Sequence, residues 1–100
     1  MSPVDLINFA NSLGINASYR NHSGESWIWL RAELHKPDQD KELIVYKKAL
    51  NLRYLSGSWI ATDGAYETLP LEEAPIRRFL LAWHQDEDLV DFGWRPIKAD

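Results

Sequence analysis

The chain has no cysteine among its 100 residues. This absence excludes a disulfide framework and any zinc site with thiolate ligands, and a cysteine-free chain suits the reducing cytoplasm. No segment approaches the roughly 20 consecutive apolar residues that span a bilayer. Residues 1–5 lack the basic start and the apolar run of a signal peptide. We therefore expect a cytoplasmic protein without a membrane partner.

Glycine and proline are also scarce, with five of each. The glycines are scattered, so no stretch forms a phosphate-binding loop, and the G-x-S-x-G pattern of a nucleophile elbow is missing. His84, Asp86 and Asp88 have the side chains of a metal or acid–base cluster, but their spacing lacks the glycine and the distal glutamate of a calcium loop. We predict that the protein is not an enzyme and holds no cofactor and no metal.

The overall composition is that of a globular protein, with 45% hydrophobic and 26% charged residues. A chain of this length is near the common size of one compact domain, so we expect a single domain over residues 1–100. The net charge of −4 disfavours general affinity for duplex nucleic acid, because that affinity depends on an excess of lysine and arginine.

A helix is predicted at each end of the chain. Residues 2–5 (Ser-Pro-Val-Asp) combine an N-cap serine, a proline at the first helical position and a capping-box aspartate, and Gly14 ends this first helix. The second helix is predicted to begin near Pro75 and to end near residue 85 or 86. Its core-facing residues, at the i, i+3, i+4, i+7 spacing of an amphipathic helix, are Ile76, Phe79, Leu80 and Trp83.

The segment between the helices is rich in strand-forming sequence. Alternating residues predict strands near 15–20, 27–34, 42–46 and 59–62, and Asp63-Gly64 is a hairpin signal that leads into residues 65–68. Residues 47–58 fit neither a helical stripe nor strict alternation, although Leu50 and Leu52 favour a strand. We predict an α+β fold, with an antiparallel sheet of about four to five strands flanked by an N-terminal and a C-terminal helix packed on one face.

The strand predicted over residues 27–34 has two unlike faces. Its even-numbered residues are all aliphatic, as a core requires, whereas its odd-numbered residues are Trp27, Trp29, Arg31 and Glu33. Exposed indole rings beside charged groups are typical of binding surfaces. An alternative is that the C-terminal tail, through Phe92 or Trp94, covers the two tryptophans as ordinary packing.

The leading functional hypothesis is a small non-catalytic module that binds a protein partner through this aromatic face. A narrower version, by analogy of size and form alone, is an inhibitor from a phage or mobile element, of the anti-CRISPR or another anti-defence type. Asp86 and Asp88 form an acidic knob that could meet a basic patch on the partner. The predicted contact residues are Arg20, Trp27, Trp29, Arg31, Glu33, Asp86 and Asp88.

Two alternatives use the same face. A homodimer could form through the tryptophans, since open sheet faces and edges are common places for chains to associate. A single-stranded nucleic acid could stack its bases on the two indoles and place its phosphates against nearby basic residues. These basic residues are predicted to be Arg20, Arg31, Lys47, Lys48 and Arg53. The sequence contains no RNA-recognition consensus, so direct nucleic-acid binding is the less favoured hypothesis.

Overall fold

A computed structural model describes residues 3–37 and 39–97, and it contains an α+β fold with one antiparallel sheet. The strands lie side by side in chain order, from β1 to β6. The predicted fold class is confirmed, but the sheet has six strands rather than four to five. The elements are α1 (Pro3–Ser12), β1 (Asn16–His22), β2 (Glu25–Pro37), β3 (Leu43–Leu55), β4 (Ser58–Thr62), β5 (Tyr66–Glu67), α2 (Glu73–His84), a 3-10 turn (Val90–Phe92) and β6 (Arg95–Pro96).

Tight turns set the register of β1 with β2 and of β3 with β4. Ser23-Gly24 joins β1 to β2 and Ser56-Gly57 joins β3 to β4, and all four of these residues have positive φ. Such two-residue turns with left-handed backbone match the twist of the paired strands. Asp63-Gly64 lies in the predicted hairpin between β4 and β5, where the Asp63 carboxylate accepts the backbone N–H groups of residues 65 and 66.

Both helices pack on one face of the sheet, which we call the inner face. The inner-face residues of β2, β3 and β4 alternate with the outward residues and form one core with the helices. The stripe predicted for α2 is confirmed, because each of its four residues is buried. The central core residues are Leu6, Ala10, Ile28, Leu30, Leu50, Leu52, Trp59, Ala61, Ile76, Phe79, Leu80 and Trp83.

The first helix ends as the sequence indicates. Gly14 has a φ of +85°, and the N–H of the next residue, Ile15, donates to the carbonyl of Ala10 at 3.0 Å. Ile15 is then buried in the core, which is the hydrophobic contact of a left-handed helix end. The predicted cap residue Ser2 and the side chain of Leu34 lie outside the part of the chain that the structure describes.

The segment 47–58 belongs to β3, its turn and the start of β4. Strand β3 runs without interruption from Leu43 to Leu55 because Leu50 and Leu52 fill inner-face positions of the core. Lys48 also takes an inner-face position, and there its ammonium group donates to the carbonyl of Trp83 and forms an ion pair with Asp86 at 3.5 Å. Because Lys48 is charged, it interrupts the alternation of apolar and polar residues by which a strand is predicted from sequence.

Strands β2 and β3 extend beyond their neighbours. Strand β1 pairs with β2 only as far as Arg31, and β4 pairs with β3 only from Asn51 onwards. Residues 32–37 and 43–50 therefore form a two-stranded ribbon that continues past the body of the sheet.

The C-terminal tail packs on the inner side of the molecule. Phe92 contacts Phe79 edge to face, with ring centroids 5.4 Å apart, and Trp94 stacks on Tyr66 at 5.8 Å. Residues 95–96 pair with β5 as a short strand. Up to residue 97, where the described part of the chain ends, the tail therefore does not cover the tryptophans of β2.

Candidate binding face

The outer face consists of the side chains of β1–β4 that point away from the helices. The register of the paired strands shows which side chains lie on this face, because residues directly opposite each other on neighbouring strands point to the same side of the sheet. None of these residues is buried, and within residues 3–37 and 39–97 no helix or tail segment crosses them. The central members are Ser18, Arg20, Trp27, Trp29, Arg31, Glu33, Lys47, Asn51, Arg53, Ile60 and Thr62.

Trp29 is the most prominent of these side chains. It is 40% exposed, although it lies in the second of six strands. The Arg20 guanidinium lies 5.2 Å from its ring centroid and the Arg31 guanidinium lies 5.9 Å from it. Both distances are within the cation–π range, so two arginines hold the indole in place while much of its surface remains accessible to solvent.

Trp27 lies one position along the same face and is half-buried. It stands between Arg20 of β1 and Arg53 of β3, which are its directly opposed neighbours. The Arg53 guanidinium is 5.9 Å from the Trp27 ring centroid. The face therefore presents a row of alternating guanidinium and indole groups across three strands.

Asn51 lies opposite Trp29 on β3, and its side-chain oxygen is buried without a hydrogen-bond partner among the described residues. Buried acceptors normally find a donor, so this oxygen is unusual. Lys48, which was predicted as a basic neighbour of the tryptophans, lies on the inner face instead. Lys47 and Arg53, predicted in the same role, do lie on the outer face, whereas Asn51 was not predicted. Their placement beside the tryptophans depends on the register between β2 and β3, which alternation within either strand does not give.

The outer face is more basic than the chain as a whole. On β1–β4 it carries four positive residues, Arg20, Arg31, Lys47 and Arg53, against two negative ones, Glu25 and Glu33. The whole chain has a net charge of −4, so the remaining surface is acidic. This separation creates a basic field over the sheet, which favours negatively charged partners.

The structure does not bring Asp86 and Asp88 to this face. Asp86 lies just after α2 and forms an ion pair with Lys48 on the inner side. The Asp88 carboxylate accepts the backbone N–H of Val90 at 3.0 Å and thus stabilises the start of the 3-10 turn. The other five predicted contact residues, Arg20, Trp27, Trp29, Arg31 and Glu33, do share the outer face.

Comparison with protein-family models, with curated proteins and with solved structures finds no match for this chain. In the described part of the chain, no three histidine or acidic side chains are grouped so that they could hold a metal ion. No described helix has the length and apolar character needed to cross a bilayer.

Proposed function

We propose that this protein is a non-catalytic module that binds a protein partner through the outer face of its sheet. The observation that carries the proposal is the environment of Trp29, which is held by Arg20 and Arg31 yet stays 40% exposed. Tryptophan and arginine are the residues most enriched among those that dominate binding energy at protein interfaces. A contact here would bury indole surface that the fold leaves in water.

The exposed part of Trp29 keeps apolar indole surface in contact with water. Burial of apolar surface contributes about 25 cal/mol for each Å² removed from water, and the fold leaves this contribution unrealised for the 40% of Trp29 that stays exposed. Orientation by the arginines also lowers the entropy lost on binding, because a pre-positioned side chain has fewer rotamers to give up. Both effects favour an intermolecular contact at this position.

The charge of the face favours a different molecule over a second copy. In a two-fold homodimer each patch meets itself, so the guanidinium groups around Trp27 and Trp29 would approach their own equivalents. Like charges brought together across an interface are unfavourable. A homodimer stays a prediction, and light scattering across a concentration series tests it.

A second candidate function is single-stranded nucleic-acid binding. It is favoured by the two neighbouring tryptophans, because each indole could stack with one base. Trp27 and Trp29 are two residues apart on one strand, which separates them by roughly 7 Å, and basic groups flank both rings. Stacking contributes about 1–3 kcal/mol per base in such sites. Glu25 and Glu33 interrupt the basic surface, however, and would repel a phosphate backbone. We therefore rank this function second.

The identity of the partner remains part of the proposal. A cysteine-free chain suits a reducing compartment, and we propose a cytoplasmic partner. The phage or mobile-element inhibitor hypothesis predicts that the partner belongs to a defence system, so co-expression should protect an infecting phage in a host that carries such a system. If co-expression protects the phage in none of the hosts tested, the inhibitor hypothesis is wrong, and the proposal of a protein-binding module is unaffected.

The experiment that tests the proposal compares Trp29→Ala with Leu81→Ala. Leu81 is also 40% exposed but lies on α2, so it is a matched apolar control on the other side of the molecule. Immobilised wild type and both variants are incubated with lysate of the encoding organism, and captured proteins are quantified by mass spectrometry. We expect Trp29→Ala to weaken capture of a specific partner about thirtyfold, the equivalent of a hot-spot loss of about 2 kcal/mol.

The control should capture the same protein as wild type. Equal capture by all three forms would show that the outer face is not the contact surface. The nucleic-acid alternative is tested with a short oligothymidylate added at low salt. Quenching of tryptophan fluorescence that disappears as salt is raised would favour it over the protein-binding proposal.

A further inference from the structure

The two edges of the sheet are built differently. At one edge, β6 contains only two residues, one of which is Pro96, and short strands and prolines are common means by which proteins protect a sheet edge. At the other edge, β1 (Asn16–His22) extends over seven residues, contains no proline, and pairs with β2 in a continuous register without a bulge. Residues 19–22 of β1 are exposed. The β1 edge therefore lacks most of the features that prevent the addition of another strand.

The pairing of β1 with β2 shows which backbone groups of β1 point to this edge. His22 and Glu25 flank a two-residue turn and so form a hydrogen-bonded pair, which directs the N–H and C=O groups of the even-numbered residues of β1 towards β2. The odd-numbered residues point away from β2. The N–H of Ala17 follows this rule, because it donates to the side-chain oxygen of Asn11 in α1 at 3.4 Å.

Tyr19 and Asn21 are the next two odd-numbered residues of β1. Within residues 3–37 and 39–97, no group pairs with their backbone N–H and C=O, because β1 is the outermost strand. Arg20 lies between them and directs its side chain to the outer face, where the guanidinium contacts Trp29. No described carboxylate forms an ion pair with Arg20. The edge thus offers four backbone hydrogen-bonding groups and, between them, a cation without an anionic partner.

A second copy of the chain fits this edge poorly. In the antiparallel register that uses all four backbone groups, Tyr19 of each copy pairs with Asn21 of the other, and the two Arg20 side chains are directly opposed. They occupy a non-hydrogen-bonded pair, in which side chains are closest, and like charges in this position are destabilising. The register centred on Tyr19 instead pairs Asn21 with Ala17, whose N–H is already bound by Asn11. The edge therefore favours a different chain.

We propose that the protein partner adds an extended segment to β1, antiparallel to it, with a glutamate or aspartate directly opposite Arg20. The main chain of the segment pairs with Tyr19 and Asn21, and its carboxylate forms an ion pair with Arg20. Strand addition of this kind derives affinity from the main chain and specificity from the side chains. Because Arg20 also contacts Trp29, the added strand widens the outer face. The inference rests on the proposed protein-binding function and specifies the chemistry of the partner.

The test uses a blocked heptapeptide of valine and threonine with one central glutamate, and a matched peptide with a central lysine. Valine and threonine favour extended backbone and pack well beside aromatic residues in cross-strand pairs. Binding to the full chain is followed by NMR titration. We expect only the glutamate peptide to shift the amide resonances of Tyr19 and Asn21 and to slow their hydrogen exchange. No change at these two amides, or equal binding of both peptides, would overturn the inference.

Two variants of Asn21 test the main-chain contact. Asn21→Pro removes the N–H that points to the edge, and proline is tolerated on edge strands, so the pairing of β1 with β2 should persist. Asn21→Ala keeps this N–H and is the matched control. We expect Asn21→Pro to bind the glutamate peptide about fivefold more weakly than Asn21→Ala, the scale of one lost hydrogen bond. Equal binding by the two variants would contradict main-chain pairing. If Asn21→Pro does not fold, hydrogen exchange at the Tyr19 and Asn21 amides of the wild type decides the question.

A second pair of variants tests the charge. Arg20→Gln should weaken glutamate-peptide binding about two- to fivefold, as expected for one cross-strand ion pair. Arg78→Gln, which changes an exposed arginine on α2, should leave this binding unchanged. Equal effects of the two substitutions would contradict a local contact at Arg20. If the Tyr19 and Asn21 amides become protected without peptide as the protein concentration rises, a second copy occupies the edge and the inference is wrong.

The results also separate this inference from the proposed function. If the glutamate peptide leaves β1 unchanged while partner capture still depends on Trp29, only the strand addition is wrong. If the peptide pairs with β1 while capture is the same for wild type and Trp29→Ala, the proposed contact through Trp29 is wrong and the strand-addition site remains.

Discussion

The exposed position of Trp29 predicts a small effect of its removal on stability. Trp29→Ala removes two cation–π contacts, each worth about 0.5–1 kcal/mol at an exposed site, together with part of a cross-strand packing contact. We expect the free energy of unfolding to fall by about 1–2 kcal/mol, from contacts that the structure places with Arg20 and Arg31. Such a loss is a modest part of the free energy of unfolding of a typical domain, which is about 5–15 kcal/mol.

Trp59 provides the comparison, because it is also a tryptophan within a strand but points to the inner face of the sheet. It is only 1% exposed and contacts Tyr54 with ring centroids 4.9 Å apart. Trp59→Ala should cost about 3–5 kcal/mol, as large-to-small changes in cores do. If that variant is unfolded, Leu50→Ala, at about 2–5 kcal/mol, keeps the comparison measurable.

Urea unfolding followed by far-UV circular dichroism measures these differences, with equal slopes expected for wild type and Trp29→Ala. A loss at Trp29 as large as the loss at Trp59 would show that the outer face is packed like a second core. That result would refute the open binding face and would restore the view that the tryptophans of β2 serve only the fold.

Three further changes probe the surroundings of the core. Lys48→Met keeps the apolar stem but removes the cationic contacts at the end of α2, and thermal unfolding should show a loss of about 1–2 kcal/mol. Gly93→Ala should cost about 1–3 kcal/mol in urea unfolding, because φ is +75° and the new Cβ would lie 2.7 Å from Cγ of Leu69; an unchanged stability would contradict this close approach. The hydrogen bond with Ser26 lowers the pKa of Tyr19 below its usual 10.0, so phenolate absorbance should appear at lower pH in wild type than in Ser26→Ala. Because the folded-state pKa is lowered, this group adds stability only as pH rises through that pKa, and an identical titration in both proteins would rule the effect out.

The sequence predicted the strongest amphipathic elements well. The stripe of α2 and the left-handed end of α1 at Gly14 depend on local spacing, and local spacing can be read from one sequence. The two faces of β2 followed from alternation in the same way. These features are confirmed because each one depends mainly on its own segment.

The remaining features depend on contacts between distant segments. The two-residue strand β6 has little strand signal of its own and forms because the tail returns to pair with β5. Lys48 breaks the pattern of β3 because its partners lie on α2. Arg53 lies beside Trp27 on the outer face only through the register of β2 with β3. Asp86 and Asp88 were predicted to contact a partner, yet Asp86 forms an ion pair with Lys48 of β3 and Asp88 accepts the N–H of Val90.

The central claim is that the partner contacts the outer face of the sheet, and hydroxyl-radical footprinting tests it most directly. The protein is exposed to radicals alone and in complex with its captured partner, and oxidation at each tryptophan and at Leu81 is measured by mass spectrometry. We predict that oxidation of Trp29 falls sharply in the complex while that of Leu81 on α2 is unchanged. Protection of Leu81 with Trp29 oxidised as fast as in the free protein would place the contact on the helices and contradict the claim.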